Sequence, residues 1–327
     1  MSSSPLVSVV IPTFNQSTLL METIRSVFVQ TLSDYELIVV NDGSTDDTAD
    51  RLRELGSHVR VVSQENQGIG AARNRGIAEA SGKYVALLDH DDLWKPAKLQ
   101  TQVKFLDRHP QCIACGVCYA ESVTPEVCRF DLATTVNSDG IVEHPMRQLA
   151  AGNNFLTTSS LMFDRERARG LRYGTQRGAT EDVQFQIGLF SRGAFGIAGR
   201  EILAIYRYHP GMSSARASYP YLGQKLVRQM QRDGAFAQVP ADQVHDLNLF
   251  LGAMGRGAAV KQLLCGQRFR GIELYLLELA YQLRLKRFDF LLAFPAFAFL
   301  PRRVVQRWAY KNMDADAARE RIELVDH

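Results

Sequence analysis

Through the first 110 residues, short runs of apolar and β-branched residues alternate with longer stretches in which apolar side chains recur every three or four positions. The runs at 6–11, 35–41, 59–63 and 84–88 predict strands, and Leu20, Ile24, Val27 and Phe28 predict an apolar face on a helix between the first two. Ser44, three residues before Asp47, predicts a capping box opening a second helix that runs toward Leu55. A third helix is expected from about Ile69. A fourth is expected with Pro96 in its first turn, Leu99, Val103 and Leu106 on its buried face, and a stop at His109-Pro110. Such alternation is the pattern of βαβ units around a mostly parallel sheet, an α/β fold. From 111 to 208 the signal is mixed, with strands expected at 112–119, 159–163 and 202–208 and a helix at 181–191, so this stretch reads as the second half of the same domain. Beyond Pro210 only helical stretches remain, notably 244–264 and 272–285, which places a boundary near residue 215 between a domain at 1–215 and a helical region at 216–327.

Composition narrows the function classes. A formal charge of +3 over 327 residues gives no field that would recruit nucleic acid, so no nucleic-acid partner is expected. Met1-Ser2-Ser3-Ser4-Pro5 leads into an apolar run too short and too poor in basic residues for a secretory signal, and five cysteines, an odd number, suit reduced thiols in a cytoplasmic protein. The stretch 290–300 contains Pro295 and falls short of the roughly 20 apolar residues that cross a bilayer. Cys112, Cys115 and Cys118 have metal-like spacing, but on a strand successive members point to opposite faces, so they read as buried small apolar side chains. Between Arg284 and Lys311 seven basic residues accompany one acid, Asp289, and five phenylalanines. Two readings stay open there: a peripheral contact with the inner face of a membrane, or a core or homo-oligomer-forming helix pair with a solvated basic face.

In an open parallel sheet, ligands bind beyond the carboxyl ends of the strands. The first run ends in Pro12-Thr13-Phe14-Asn15, the second in Asn41-Asp42-Gly43-Ser44 and the fourth in Asp89-His90-Asp91-Asp92. Three aspartates within four residues repel one another unless a cation neutralises them, and Mg2+ or Mn2+ bridged to substrate phosphates would do so; a solvated acidic turn before the helix expected from Lys95 is the plainer alternative. Arg73 and Arg75 follow Gly68 and Gly70, an arrangement suited to phosphate but equally to an ordinary helix start. Gly68-Ile69-Gly70-Ala71-Ala72-Arg73 imitates a dinucleotide fingerprint, yet the first strand-to-helix turn, where that fingerprint belongs, has no glycine.

Together, Val7-Ser8-Val9-Val10-Ile11-Pro12-Thr13-Phe14-Asn15, Glu36 to Asp46, Asn66 to Gly76, and Tyr84 to Asp92 with its trailing Leu93-Trp94-Lys95-Pro96 resemble glycosyltransferase family 2. The resemblance implies the GT-A nucleotide-diphospho-sugar transferase fold, with a donor half at about 1–110 and an acceptor half at 111–215, and inverting transfer from a UDP-sugar to a glycan or lipid-linked acceptor. It implies that Asp42 binds the nucleotide base beside Pro12, Thr13 and Asn15, that Arg73 and Asp89 lie on the donor, and that Asp89 and Asp91 hold Mn2+ or Mg2+. It further implies that Asp182, in Thr180-Glu181-Asp182, is the catalytic base and that His209 approaches the metal, while His90 is a bystander. Residues 153–160 and 173–178 are expected to shape the acceptor side. A module that keeps the fold and binds donor without turnover, and a nicotinamide oxidoreductase, are the competing function classes.

Overall fold

The computed structural model describes residues 4–176, 180–209 and 218–309. Among them nine strands make one sheet: β1 Val7–Thr13, β2 Tyr35–Asn41, β3 Arg60–Ser63, β4 Tyr84–Leu87, β5 Leu93–Trp94, β6 Cys112–Glu121, β7 Ile141–Val142, β8 Met162–Asp164 and β9 Ala194–Tyr206. Their order is β3-β2-β1-β4-β8-β6-β9-β5, with β7 beside β9. The β3-β2-β1-β4 half is parallel. Strand β8 runs antiparallel to both β4 and β6, and β6 and β9 are parallel. Helices α1 (Ser17–Phe28), α2 (Thr48–Glu54) and α3 (Ile69–Glu79) make the crossovers of the parallel half, and α4 (Lys98–Arg108) leads into β6. Short helices α5 (Leu132–Thr135) and α6 (Pro145–Ala150) lie between β6 and β8, and α7 (Val183–Arg192) precedes β9. Every residue of β1 and β6 is buried, as expected of strands covered on both faces.

Three expectations need correction. Ser44 and Asp47 form no capping box: Asp46 accepts from the Thr48 backbone N–H (3.1 Å) and hydroxyl (2.5 Å), while Ser44 Oγ accepts from the Asn15 N–H (3.0 Å). Helix α4 starts at Lys98, beyond Pro96, because Leu93 and Trp94 pair with β9 and the Lys95 N–H donates to Leu203 O (2.9 Å). Strand β9 begins at Ala194, eight residues before the expected start at 202; Gly196 and Gly199, the latter at φ +78°, interrupt its apolar pattern.

The described chain falls into two compact units, the first holding residues up to 148, 153–176 and 181–207, the second chiefly the helices after 208. The boundary expected near 215 lies outside the described residues. The second unit contains α8 (Ser218–Arg232), α9 (Val244–Leu264), α10 (Arg268–Arg284), α11 (Phe288–Phe299) and α12 (Arg302–Ala309). Its core joins Ala259, Leu263 and Leu274 to Phe290, Leu291, Phe294 and Ala298. Pro295 sits inside α11 and offers no N–H to the carbonyl of Leu291, four residues back; the Tyr275 hydroxyl donates to that carbonyl instead (2.8 Å), with its ring stacked on Phe294. Among the described residues, no helix is long and apolar enough to cross a membrane.

Candidate active site

The sheet changes direction of winding between β1 and β4, the place where open α/β sheets leave a crevice at their carboxyl edge. Both strands end there in polar sequence. His90 Nδ1 meets the Pro12 carbonyl at 3.2 Å, which ties the β4 end to the β1 end, and the Asp42 N–H donates to Thr13 O (2.9 Å), which ties in β2. Thr13 Oγ1 is buried without a hydrogen-bond partner. Asn15 takes a left-handed conformation (φ 50°) that lets its Oδ1 accept from the Thr45 N–H (2.7 Å).

Asp42 is buried and its carboxylate accepts three bonds, from Gln64 Nε2 (2.7 Å), the Gln67 N–H (3.0 Å) and the Gly68 N–H (2.8 Å). It thereby holds the loop that starts α3. A carboxylate offers about four lone-pair sites, so about one acceptor position remains for a ligand N–H.

Each aspartate after β4 has its own surroundings. Asp89 accepts from Arg73 Nη2 at 2.6 Å, and its N–H donates to Ser159 Oγ (3.1 Å). Asp91 is half-buried, and its backbone carbonyl accepts from Arg207 Nε. Asp92 is buried and accepts from the Ser159 hydroxyl and from the Arg207 N–H (3.0 Å); burial, then the charges of Asp91 and Asp89, push its carboxyl well above the usual range. The guanidinium of Arg207 also reaches Glu22, Leu19 O and Thr23 Oγ1, and the Thr23 hydroxyl lies 2.8 Å from the carbonyls of both His90 and Asp92. Helix α1 and the end of β9 therefore fix the acidic turn from two sides.

Arg73 is buried on α3, with its guanidinium 5.1 Å from the centre of the Tyr173 ring. Burial alone would favour loss of its proton, but Asp89, Tyr173 and Asp182 outweigh it and hold Arg73 firmly charged. Its Nε has no hydrogen-bond partner. Asp182 stands at the start of α7 and accepts from Gln186 Nε2 (2.9 Å); burial raises its carboxyl above the ordinary value, Arg73 pulls against that, and Glu181 adds to it. Arg75 instead pairs with Glu79 at 2.9 Å, one helical turn away.

Hard carboxylate oxygens on Asp89 and Asp91 suit Mn2+ or Mg2+, which take one or two carboxylates and complete their shell with phosphate and water. Among the described residues, no three His, Cys, Asp or Glu side chains are gathered as a ready metal cage. His209 lies in the second unit; Pro210 and Gly211 of its segment, and residues 177–178 of the expected acceptor segment, lie outside the described residues.

Ser159, Thr23, Asn74 and Tyr173 carry functions of position that the motifs did not reveal. Ser159 is a buried support of the acidic turn, inside a segment expected on the acceptor side. Asn74 clamps the backbone of Tyr173 through both its amide atoms (2.9 and 2.8 Å), and the Tyr173 ring also stacks on Phe185 of α7. The legible signal was spacing, since Asn74 directly follows Arg73.

The family model for glycosyl transferase family 2 matches residues 8–171. A putative teichuronic acid biosynthesis glycosyltransferase, TuaG of Bacillus subtilis, is 30% identical over 62% of this chain and 79% of its own length. An uncharacterized glycosyltransferase of Rickettsia prowazekii is 41% identical over 32% of this chain and 33% of its own. The match covers only 17% of a homologous Rickettsia felis protein, so this chain spans a minor part of several relatives. Among solved structures, S. aureus TarS superimposes with a TM-score of 0.61 at 16% identity, over 87% of this chain and 53% of that one. The mannosyltransferase PcManGT of Pyrobaculum calidifontis, in complex with GDP-Man and Mn2+, does so with 0.57 at 16% identity, over 99% and 86%. A mostly parallel α/β sheet with a crevice at its switch point and carboxylates on its edge is the GT-A-like architecture of a sugar transferase. The chain belongs to glycosyltransferase family 2.

Proposed function

We propose that this protein is an inverting transferase that moves a hexosyl or N-acetylhexosaminyl group from a nucleotide-diphosphate sugar, in the first instance a UDP-sugar, to a hydroxyl of a glycan or lipid-linked acceptor, at the cytoplasmic stage of cell-surface polysaccharide synthesis. The observation that carries it is the shared field of three side chains: Asp89 is paired with Arg73, and Asp182, with a raised carboxyl, feels the same guanidinium. In this reading a donor-side and an acceptor-side carboxyl share the field of one buried charge. The name of TuaG, a putative teichuronic acid biosynthesis glycosyltransferase, supports a role in polysaccharide synthesis, and a TarS fragment in complex with UDP-GlcNAc (TM-score 0.56, 17% identity) and PcManGT with GDP-Man both support a nucleotide-sugar donor.

In this reading Pro12, Thr13, Asn15 and the remaining acceptor position of Asp42 receive the base and ribose, and the unpartnered Arg73 Nε supplies a donor to a phosphate oxygen. The acceptor hydroxyl gives its proton to the Asp182 carboxylate as its oxygen bonds to the anomeric carbon. The bond from that carbon to the diphosphate oxygen breaks on the opposite face, its electron pair leaves with the diphosphate, and the configuration inverts. A cation held by Asp89 and Asp91 would neutralise charge on the departing diphosphate.

Calorimetry of UDP binding with and without Mn2+, with GDP and NAD as controls, tests the donor assignment. Metal-dependent UDP binding that weakens about tenfold or more in Asp91→Asn is expected. Selective GDP binding would replace the donor and keep the site. Absence of any metal-dependent nucleotide binding would defeat the reading.

A further inference from the structure

The second unit carries an apolar surface that its own core does not use. On α10, Phe269, Leu276 and Leu283 recur at seven-residue spacing, nearly two helical turns, and all three are exposed, Phe269 to 91%. Leu279 adds to the same side. On α11, Phe288, Leu292 and Phe299 share a face, with Leu292 and Phe299 each 79% exposed. The opposite faces are already spent inward: Leu274 of α10 and Phe290, Leu291, Phe294 and Ala298 of α11 fill the core. Isolated exposed leucines need no explanation, but apolar outer stripes on two neighbouring helices present more apolar surface than water favours.

Charge identifies what covers it. Arg284 and Lys286, at the amino end of α11, and Arg303, beyond its carboxyl end, are exposed. The acids nearby are engaged: Asp289 by Arg287 (3.1 Å), Glu273 by Lys225 (2.6 Å), and the buried Glu278 by Arg228. Self-association through a twofold axis would lay this patch against its own copy and set basic ends against basic ends. An anionic bilayer surface satisfies both features, since phenylalanine and leucine enter the headgroup boundary while arginine and lysine reach lipid phosphates.

We infer that the outer faces of α10 and α11 form a docking surface for anionic lipid, on which the second unit lies without crossing the membrane. The inference rests on the second unit alone and is independent of the donor chemistry.

Flotation of the full chain with vesicles of phosphatidylcholine, alone or mixed equally with phosphatidylglycerol, tests it. Binding is expected to the mixed vesicles and to fall with salt. In Lys286→Glu/Arg303→Glu it should weaken about fivefold or more for each residue changed. In Leu276→Ser/Leu292→Ser it should weaken roughly tenfold or more. Unchanged melting temperatures would establish that these exposed substitutions leave the fold intact. Equal binding by wild type and variants, or no flotation with the anionic vesicles, would overturn the inference. So would a dimer in sedimentation velocity that Leu276→Ser/Leu292→Ser dissociates without any flotation, which would assign the face to a second copy.

Discussion

Four carboxyl groups crowd one edge of the sheet, and their neighbours separate their roles. Asp89 is neutralised by Arg73; Asp92 is enclosed by the Ser159 hydroxyl and the Arg207 N–H and is pushed toward its protonated form by burial and by its two fellow aspartates. Asp92 thus belongs to the support of the turn, leaving Asp91 as the half-buried carboxyl beside Asp89. Asp182 is raised by burial but held back by Arg73, which keeps a base with more proton affinity than an ordinary aspartate. Asp182→Asn is expected to lower turnover by about 10²–10⁴-fold and spare UDP binding. In the proposed role Asp182 works ionised, so kcat/KM of the wild type should fall as pH drops through the raised value, and its acid limb should lie above the ordinary aspartate figure of about 3.9. Sugar transfer that survives at full rate in the variant would remove Asp182 from this role. The motifs single out these residues, but the different surroundings of each depend on hydrogen bonds from α1, the segment around Ser159 and the end of β9, which are up to 116 positions away in sequence.

At the scale of elements, α3 is the piece on which the site is hung. Its start is fixed by Asp42, its Arg73 points to Asp89, and its Asn74 grips Tyr173. Gly70 makes that grip close: a Cβ there would stand 1.7 Å from the carbonyl oxygen of Gly174, which is backbone and cannot rotate aside. Gly70→Ala should therefore displace the 173–174 segment at a cost of about 1–3 kcal/mol. Thermal unfolding would show a lowered Tm, and Asp182-dependent turnover should fall more than UDP binding; an unchanged Tm would mean the segment moves freely. The parallel half was legible because β1, β2 and β4 are nearly continuous apolar runs, interrupted only by Ser8 and Glu36, that lead into polar ends. In the other half β6, β8 and the end of β9 were legible as strands at 112–119, 159–163 and 202–208, but β5, β7 and the start of β9 were not, for a physical reason: β5 and β7 are two residues each, below any periodicity, and β9 is broken by glycines and by exposed Arg200 and Glu201. Helix α11 shows the same limit in another form, since one sequence serves the core on one face and presents phenylalanine outward on the other, and periodicity alone left both readings open.

For the whole molecule, the balanced overall charge conceals buried charges whose protonation is linked to folding. Lys98, the first residue of α4, is fully buried, 3.8 Å from the centre of the Trp94 ring, and its Nζ donates to Gln102 Oε1 (2.7 Å). Gln102 in turn donates to the carbonyls of Cys115 on β6 and Ser160 beside the acidic turn (3.1 and 2.9 Å), so Lys98 sits where helix, sheet and site meet. Burial pushes its ammonium down to about 7, with Cys115 opposing the shift. The unfolded chain takes up this proton below about pH 10.4, while the folded chain resists until about 7. Between those values the unfolded state binds more protons, so the contribution of Lys98 to stability rises with pH, by at most about 1.4 kcal/mol per pH unit. It is full above the unfolded value and is lost as pH falls toward 7, below which it changes no further. Lys98→Met would remove this dependence whatever it does to absolute stability through Gln102. Urea unfolding followed by tryptophan fluorescence at about pH 7.5 and about pH 9 should then show the wild type gaining up to ~2 kcal/mol more than the variant. Parallel pH responses in the two proteins would mean that Lys98 keeps its proton in the fold, held by the face of Trp94.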